Sequence, residues 1–204
     1  MKKMYGYVQA GGGSTRFGQD KALAKLNGKT LLERTVELVA SVADSVKVVA
    51  AMNKYPQLKV PVVEDRWPGE GPLGGIITAL IETRKISPEP TWSLIVSCDM
   101  PFLTADWLRE MNDHALKSGA QVVVPDSENG LEPLCACWRS DGAPRLQDAF
   151  DSGIRKVTEA MKRLSMEVLD ETLWKRFDSD KRLFWNMNTL EDYEHARRMI
   201  EQHD

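Results

Sequence analysis

The chain has 204 residues, with 27 Lys and Arg against 30 Asp and Glu, a net charge of −3, and 42% hydrophobic and 28% charged residues. That balance is globular rather than disordered, fits a single domain over 1–204 with a substantial core, and argues against a general nucleic-acid binder, which carries a basic excess. No run approaches the ~20 apolar residues of a membrane-spanning helix, and Gly6, Gln9 and the glycines that follow interrupt any signal-peptide core, so the expected compartment is the cytoplasm without membrane or nucleic-acid partners.

The first apolar run, Met4 to Val8, reads as a strand, and behind it comes Gln9-Ala-Gly-Gly-Gly-Ser-Thr-Arg-Phe-Gly-Gln-Asp-Lys21. Consecutive glycines let backbone N–H groups face a ligand closely, and after a first strand they make an anion cradle. Arg16 and Lys21 add positive charge, so a nucleotide triphosphate is the expected occupant. A Walker loop needs Gly-Lys followed by Ser or Thr, and a dinucleotide fingerprint needs Gly-x-Gly-x-x-Gly. Neither pattern is present, while a plain flexible turn leaves the two cations without a purpose.

Leu31 to Val39 spaces apolar residues three and four apart, which predicts an amphipathic helix. Val46 to Ala51 reads as a buried strand and Leu58 to Val63 as a second short one. Glu64 to Gly75 is a turn-rich loop in which Asp65 follows a strand and Pro72 suits a first helical turn, continued by Ile76 to Thr83. Gly74 and Gly75 offer a base or ribose close approach to the backbone; a surface loop with a Pro-capped helix is the lesser alternative. Trp92 to Cys98 is a buried strand that ends at Asp99, with Pro101 beyond. A carboxylate fixed there suits Mg²⁺, which takes one or two protein carboxylates and its substrate's phosphates; a turn cap is the plainer alternative.

Thr104 is the expected N-cap of a helix from Ala105 to Lys117. Strands are expected at Val122 to Pro125, Glu132 to Trp138 and Met166 to Leu169. Asp141 to Arg163 reads as helical with a break at Ser152-Gly153, and Leu190 to Glu201 as a final amphipathic helix. Cys135 and Cys137 alternate on one strand face. With Cys98 they are expected as reduced, packed thiols, since the three histidines do not complete a metal-binding spacing. Asn186 and Asn188 also alternate and are open to a binding or a turn role. The alternation of strand and helix predicts an α/β protein, a Rossmann-like three-layer sandwich with a mostly parallel sheet, whose ligands bind beyond the strand carboxyl ends.

Four ordered blocks resemble the molybdenum cofactor guanylyltransferases. The family's Leu-Ala-Gly-Gly-x-Ser-x-Arg-Met-Gly-x-x-Lys is matched by Gln9 to Lys21, its Gly-Pro-Leu-x-Gly by Gly71 to Gly75, its Cys-Asp-x-Pro by Cys98 to Pro101, and its Asn-x-Asn-Thr by Asn186 to Thr189. The resemblance implies transfer of GMP from GTP to the phosphate of molybdopterin, with Mg²⁺ as cofactor and with proteins that deliver or accept the pterin as further partners. It implies Arg16, Lys21 and Asp99 as catalytic residues, with Asp99 also on the metal. Gln9, Ala10, Gly11, Gly12, Lys21, Asn53, Asp65, Gly74 and Asp99 would contact nucleotide. Arg155, Lys156, Asn186 and Asn188 would lie towards the acceptor. Gln9 departs from the usual leucine, Phe17 from methionine, and Ala51 stands where an asparagine is common, with Asn53 as a substitute. A cytidylyl-transferring or other nucleotidyltransferase of the same fold, and a non-catalytic nucleotide or cofactor carrier, are the competing readings.

Overall fold

The computed structural model describes residues 3–11 and 20–201. Its strands are β1 (Met4–Gln9), β2 (Lys25–Leu26), β3 (Lys29–Thr30), β4 (Ser45–Ala50), β5 (Val62–Glu64), β6 (Trp92–Ser97), β7 (Val122–Ser127), β8 (Gly130–Leu131), β9 (Cys135–Arg139) and β10 (Met166–Leu169). Its α-helices are α1 (Leu31–Ala40), α2 (Pro72–Ile86), α3 (Ala105–Lys117), α4 (Ala143–Asp151), α5 (Val157–Ala160), α6 (Glu171–Trp174) and α7 (Leu190–Glu201).

The main sheet runs β10-β7-β9-β6-β1-β4-β5, with β8 hairpinned onto β7. β1 lies parallel to both its neighbours, and β9 runs antiparallel to β6 and β7. Every residue of β1 is buried, as expected for a strand covered on both faces. Alternate side chains feed two cores. Met4, Val8, Val48, Leu94, Val96, Cys135 and Cys137 pack with α1 and α3 through residues such as Leu32, Val36, Trp107 and Met111. Tyr5, Tyr7, Val49, Ile95, Val124 and Trp138 pack on the opposite face with α2, α4 and α5. The expected three layers are therefore present, and all three thiols are buried and unpaired.

Local chemistry sets the helix starts. Thr30 and Glu33 form a reciprocal capping box on α1, and Thr104 accepts from the Trp107 amide on α3 as its position predicts. Gly71, at φ 93°, turns the chain into α2, and Pro72 opens that helix. At the start of α7 the Thr189 amide donates to the Asp192 carboxylate and the Asp192 amide to the Thr189 hydroxyl. That helix joins Ala24, Leu26, Leu31 and Met187 in a third, smaller core, which carries the 185–189 segment to the chain just after the glycine loop.

Several boundaries differ from the sequence expectation. The strand expected over Leu58 to Val63 is only Val62–Glu64. Before it, Asn53 and Tyr55 take left-handed backbones, at φ 59° and 57°, and Pro56 and Pro61 withhold donors. The strand expected from Glu132 begins at Cys135, because Glu132 instead donates its amide to Pro125 and its carbonyl accepts from Cys135 in a turn. The β2–β3 hairpin and α6 are too short to show a periodicity, and the pattern did not predict them.

Candidate active site

The chain leaves β1 towards β4 by way of α1, and leaves β6 in the opposite direction by way of α3. Their carboxyl ends therefore flank a crevice at a topological switch point, where open α/β sheets take ligands. The two ends are joined directly, since the Cys98 amide donates to the Gln9 carbonyl at 3.4 Å, and the Ala10 amide ties the end of β1 to the Val49 carbonyl of β4 at 3.0 Å.

On one side of this crevice stands a charged group. The Lys21 Nζ donates to Asp99 Oδ2 at 3.0 Å and to Asn188 Oδ1 at 3.3 Å. The Lys21 and Asp99 side chains are 17% and 18% exposed, so water screens the pair only partly. The Met187 amide donates to the Asp99 carbonyl at 2.8 Å, which fixes the asparagine segment against the end of β6. Three sequence-expected residues from distant parts of the chain thus meet. Asn186 lies one step away, its amide donating to the Phe184 carbonyl at 3.2 Å.

The remaining oxygen, Asp99 Oδ1, is buried and has no hydrogen-bond partner among the described residues. An orphaned carboxylate oxygen is costly and is suited to a cation. No group of three or more potential metal ligands occurs among the described residues. The site therefore fits an ion that takes one protein carboxylate and completes its shell with substrate oxygens, as Mg²⁺ does.

On the other side lies a cavity of about 280 Å³, lined by Gln9, Ala10, Gly11, Ala51, Asp65 and Gly75 among others. Asp65 is set there by its own loop: its Oδ1 accepts from the Trp67 amide at 3.0 Å and from the Thr78 hydroxyl at 3.3 Å. Gly74 and Gly75 are bare because side chains occupy the space above them. A Cβ at Gly74 would meet Trp67 Cβ at 3.1 Å, and one at Gly75 would meet Gln9 Nε2 at 2.6 Å.

Three residues that sequence reasoning passed over complete the site. The Tyr55 hydroxyl lies 3.0 Å from Asp20 Oδ2 and 3.5 Å from the Ala10 carbonyl, so it pins both ends of the glycine loop. Lys54, a cavity wall, pairs with Asp20 at 2.7 Å. Burial alone would raise the Asp20 pKa, but the bonds from Lys54 and Tyr55 outweigh it and hold the carboxyl below its usual range. Burial, and then the Asp20 charge, push the Tyr55 phenol well above its usual value. Glu132 is buried and its pKa is raised, first by desolvation and also by the Asp99 charge, against bonds from Ser127 and Asn186 that lower it.

Not every expected residue joins these groups. Asn53 is exposed and is absent from the cavity wall, where its neighbours Ala51 and Lys54 appear. Arg155 stacks over the Phe150 ring at 3.8 Å and pairs with Glu70 at 2.9 Å, away from the Lys21–Asp99–Asn188 group. Lys156 is an exposed N-cap of α5. Gly12 and Arg16 lie outside the described residues.

Known proteins carry the same arrangement of elements. A solved structure of molybdopterin-guanine dinucleotide biosynthesis protein A from Archaeoglobus fulgidus superposes with a TM-score of 0.83 at 25% identity, over 97% of this chain and 99% of that one. A probable molybdenum cofactor guanylyltransferase of Chloroflexus aggregans is 32% identical over 194 residues, 93% of this chain and 91% of its own length. Another, from Bacillus cytotoxicus, is 27% identical over 199 residues, covering 95% of this chain and 96% of its own. Residues 6–165, which hold both sides of the crevice as far as β9 and α5, match the MobA-like NTP transferase domain, and the chain belongs to that family.

Proposed function

We propose that this protein transfers the guanylyl group of GTP to the phosphate of molybdopterin, forming the guanine dinucleotide cofactor and releasing pyrophosphate. The observation that carries this reading is the pairing of Lys21 with Asp99, whose other carboxylate oxygen has no partner among the described residues, in the crevice between β1 and β6. The relatives named above support guanine and the pterin as substrates.

The acceptor, a phosphate monoester, is already ionised at neutral pH, so no general base is needed. The barrier lies in bringing one anion onto the α-phosphorus of another. An acceptor oxygen bonds to that phosphorus as the bond to the bridging oxygen of pyrophosphate breaks, in line with the attack. Mg²⁺ held by Asp99 would supply positive charge to the phosphate oxygens. Lys21 and Arg16 neutralise the phosphates and the leaving pyrophosphate. Gln9, Ala10, Gly11, Gly12 and Asp65 hold the nucleoside half. Asn186 and Asn188 orient the acceptor.

We read the whole chain as one nucleotidyltransferase domain working in the cytoplasm, where GTP is available, and exchanging its pterin with delivering or accepting proteins. No helix among the described residues is long and apolar enough to cross a membrane. The decisive experiment measures pyrophosphate release from GTP with Mg²⁺ and molybdopterin, with CTP and ATP as competitors. Release that needs the pterin, and that GTP supports best, is expected. A preference for CTP would indicate cytidylyl transfer, and tight GTP binding without release would indicate a carrier.

A further inference from the structure

Gln9 ends the central strand with a polar side chain where the resembling family has leucine. By strand alternation it shares the α2 face with Tyr5 and Tyr7, and it is 7% exposed. Its Nε2 donates to the Pro72 carbonyl at 3.1 Å. A carbonyl only accepts, so this bond assigns Nε2 to Pro72, while Oε1 lies 3.3 Å from where a Cβ on Gly75 would stand. The acceptor end, Oε1, has no partner among the described residues, and Gln9 is a wall of the 280 Å³ cavity. The bare Gly75 beneath is what admits the amide, because a Cβ there would fall 2.9 Å from Gln9 Cδ.

The wall also carries Lys54, paired with Asp20, and Asp65, bonded through Oδ1 to Trp67 and Thr78; beside them, on a stretch of Ala10, Gly11, Val49, Ala51 and glycine backbone, the Gln9 acceptor can read one polar edge of a flat ring. We propose that Gln9 is a base-selecting residue, its Oε1 accepting a hydrogen bond from the N1–H and N2-amino edge of guanine. Adenine presents a lone pair at N1 and no amino group at C2, so it would set acceptor against acceptor. Leucine cannot make this distinction. The inference rests on the reading that the nucleotide base lies in this cavity.

The test compares dissociation constants of GTP and ATP, each with Mg²⁺, for the wild-type protein and Gln9→Met. Methionine keeps the length and approximate volume over Gly75 and removes both polar atoms; Gln9→Leu serves if the methionine variant folds poorly. The GTP-over-ATP preference is expected to fall about tenfold, through weaker GTP binding, as for loss of one hydrogen bond. A fall of less than threefold, or an equal weakening of both nucleotides, overturns the inference and leaves Gln9 as a tie between β1 and α2. Pyrophosphate release by the wild-type protein from GTP and molybdopterin is measured alongside. Its absence overturns the guanylyl-transfer reading whatever the selectivity, whereas intact release with unchanged selectivity overturns the role of Gln9 alone.

Discussion

The two sides of the crevice are built from different physics. The cavity side is made mostly of backbone and small residues, with Gln9 seated over Gly75 and its two charged side chains already engaged, Asp65 in its own turn and Lys54 with Asp20. The other side is made of charge, Lys21 against Asp99, with one carboxylate oxygen unsatisfied among the described residues. A wall that reads a base must be rigid and close-packed, and it works through shape and one or two hydrogen bonds. A centre that lowers a barrier between anions must offer preorganised charge in a place water screens poorly. Substitutions on the charged side should therefore damage turnover more than nucleotide binding, and those on the cavity side the reverse.

The largest expected effect comes from Asp99→Asn, which keeps the shape of the side chain and removes the charge. Pyrophosphate release should fall by on the order of 10²–10³, the usual consequence of losing a charge-stabilising group. Lys21→Ala should lose a similar factor, and the double variant should lose little more, because the two groups act as a unit. Near wild-type turnover in either single variant would falsify its assignment to the charged centre.

Gly75→Ala attacks the cavity side. The added methyl would meet Gln9 Nε2 at 2.6 Å, and that amide can yield only by leaving its bond to Pro72. Overpacking of this kind costs about 1–3 kcal/mol, partly offset by the roughly 1 kcal/mol that alanine gains over glycine inside α2. Thermal unfolding should show the net loss, and GTP affinity should weaken while turnover at saturating GTP changes little. A variant that loses turnover but keeps GTP affinity would erase the distinction between the two sides.

Tyr55→Phe addresses the joint between them. The hydroxyl links Asp20, next to Lys21, with the Ala10 carbonyl at the end of β1. Its removal leaves Asp20 with Lys54 and the Ala22 amide, so a stability loss on the order of 1 kcal/mol is expected. The Michaelis constant for GTP should rise more than turnover falls, and denaturant unfolding with steady-state kinetics would read both. No change in either would mean that the loop ends are held without Tyr55.

The architecture was legible because its signals are local or periodic. Thr104 caps α3 where the pattern says it should, Pro72 opens α2, and the runs Met4 to Val8 and Trp92 to Cys98 become the central strands, each shifted by one residue at its end. The charged centre was legible for a different reason: Lys21, Asp99 and Asn188 each sit in a distinctive block, and the fold then brings the blocks together. What could not be read were contacts between segments that carry no pattern of their own. Tyr55 reaches Asp20 because two left-handed residues reverse the chain after β4, and neither Asn53 nor Tyr55 signals this in advance. Gly74 and Gly75 looked like room for a ligand, and only the positions of Trp67 and Gln9 show what fills the space above them. Arg155 was assigned by its charge, yet its charge is taken up by Glu70 and its face by Phe150.

Glu132 gives the smallest and most specific effect. Its carboxyl sits on the charged side, buried, accepting from the Ser127 hydroxyl at 2.7 Å and feeling the charge of Asp99. Desolvation is the largest influence and raises its pKa above the ordinary 4.5. The folded state therefore holds this proton more tightly than the unfolded chain does. The resulting stability is fully present below the unfolded pKa and is lost as pH rises through the folded one. Glu132→Gln keeps an acceptor for Ser127 and cannot ionise, so it escapes that loss. Its melting temperature, compared with the wild type without ligand, should gain on the wild type as pH is raised from about 4 to 8. A difference constant across that range would mean that the charged side tolerates a second buried carboxylate at no cost, and that its negative charge is not concentrated at Asp99.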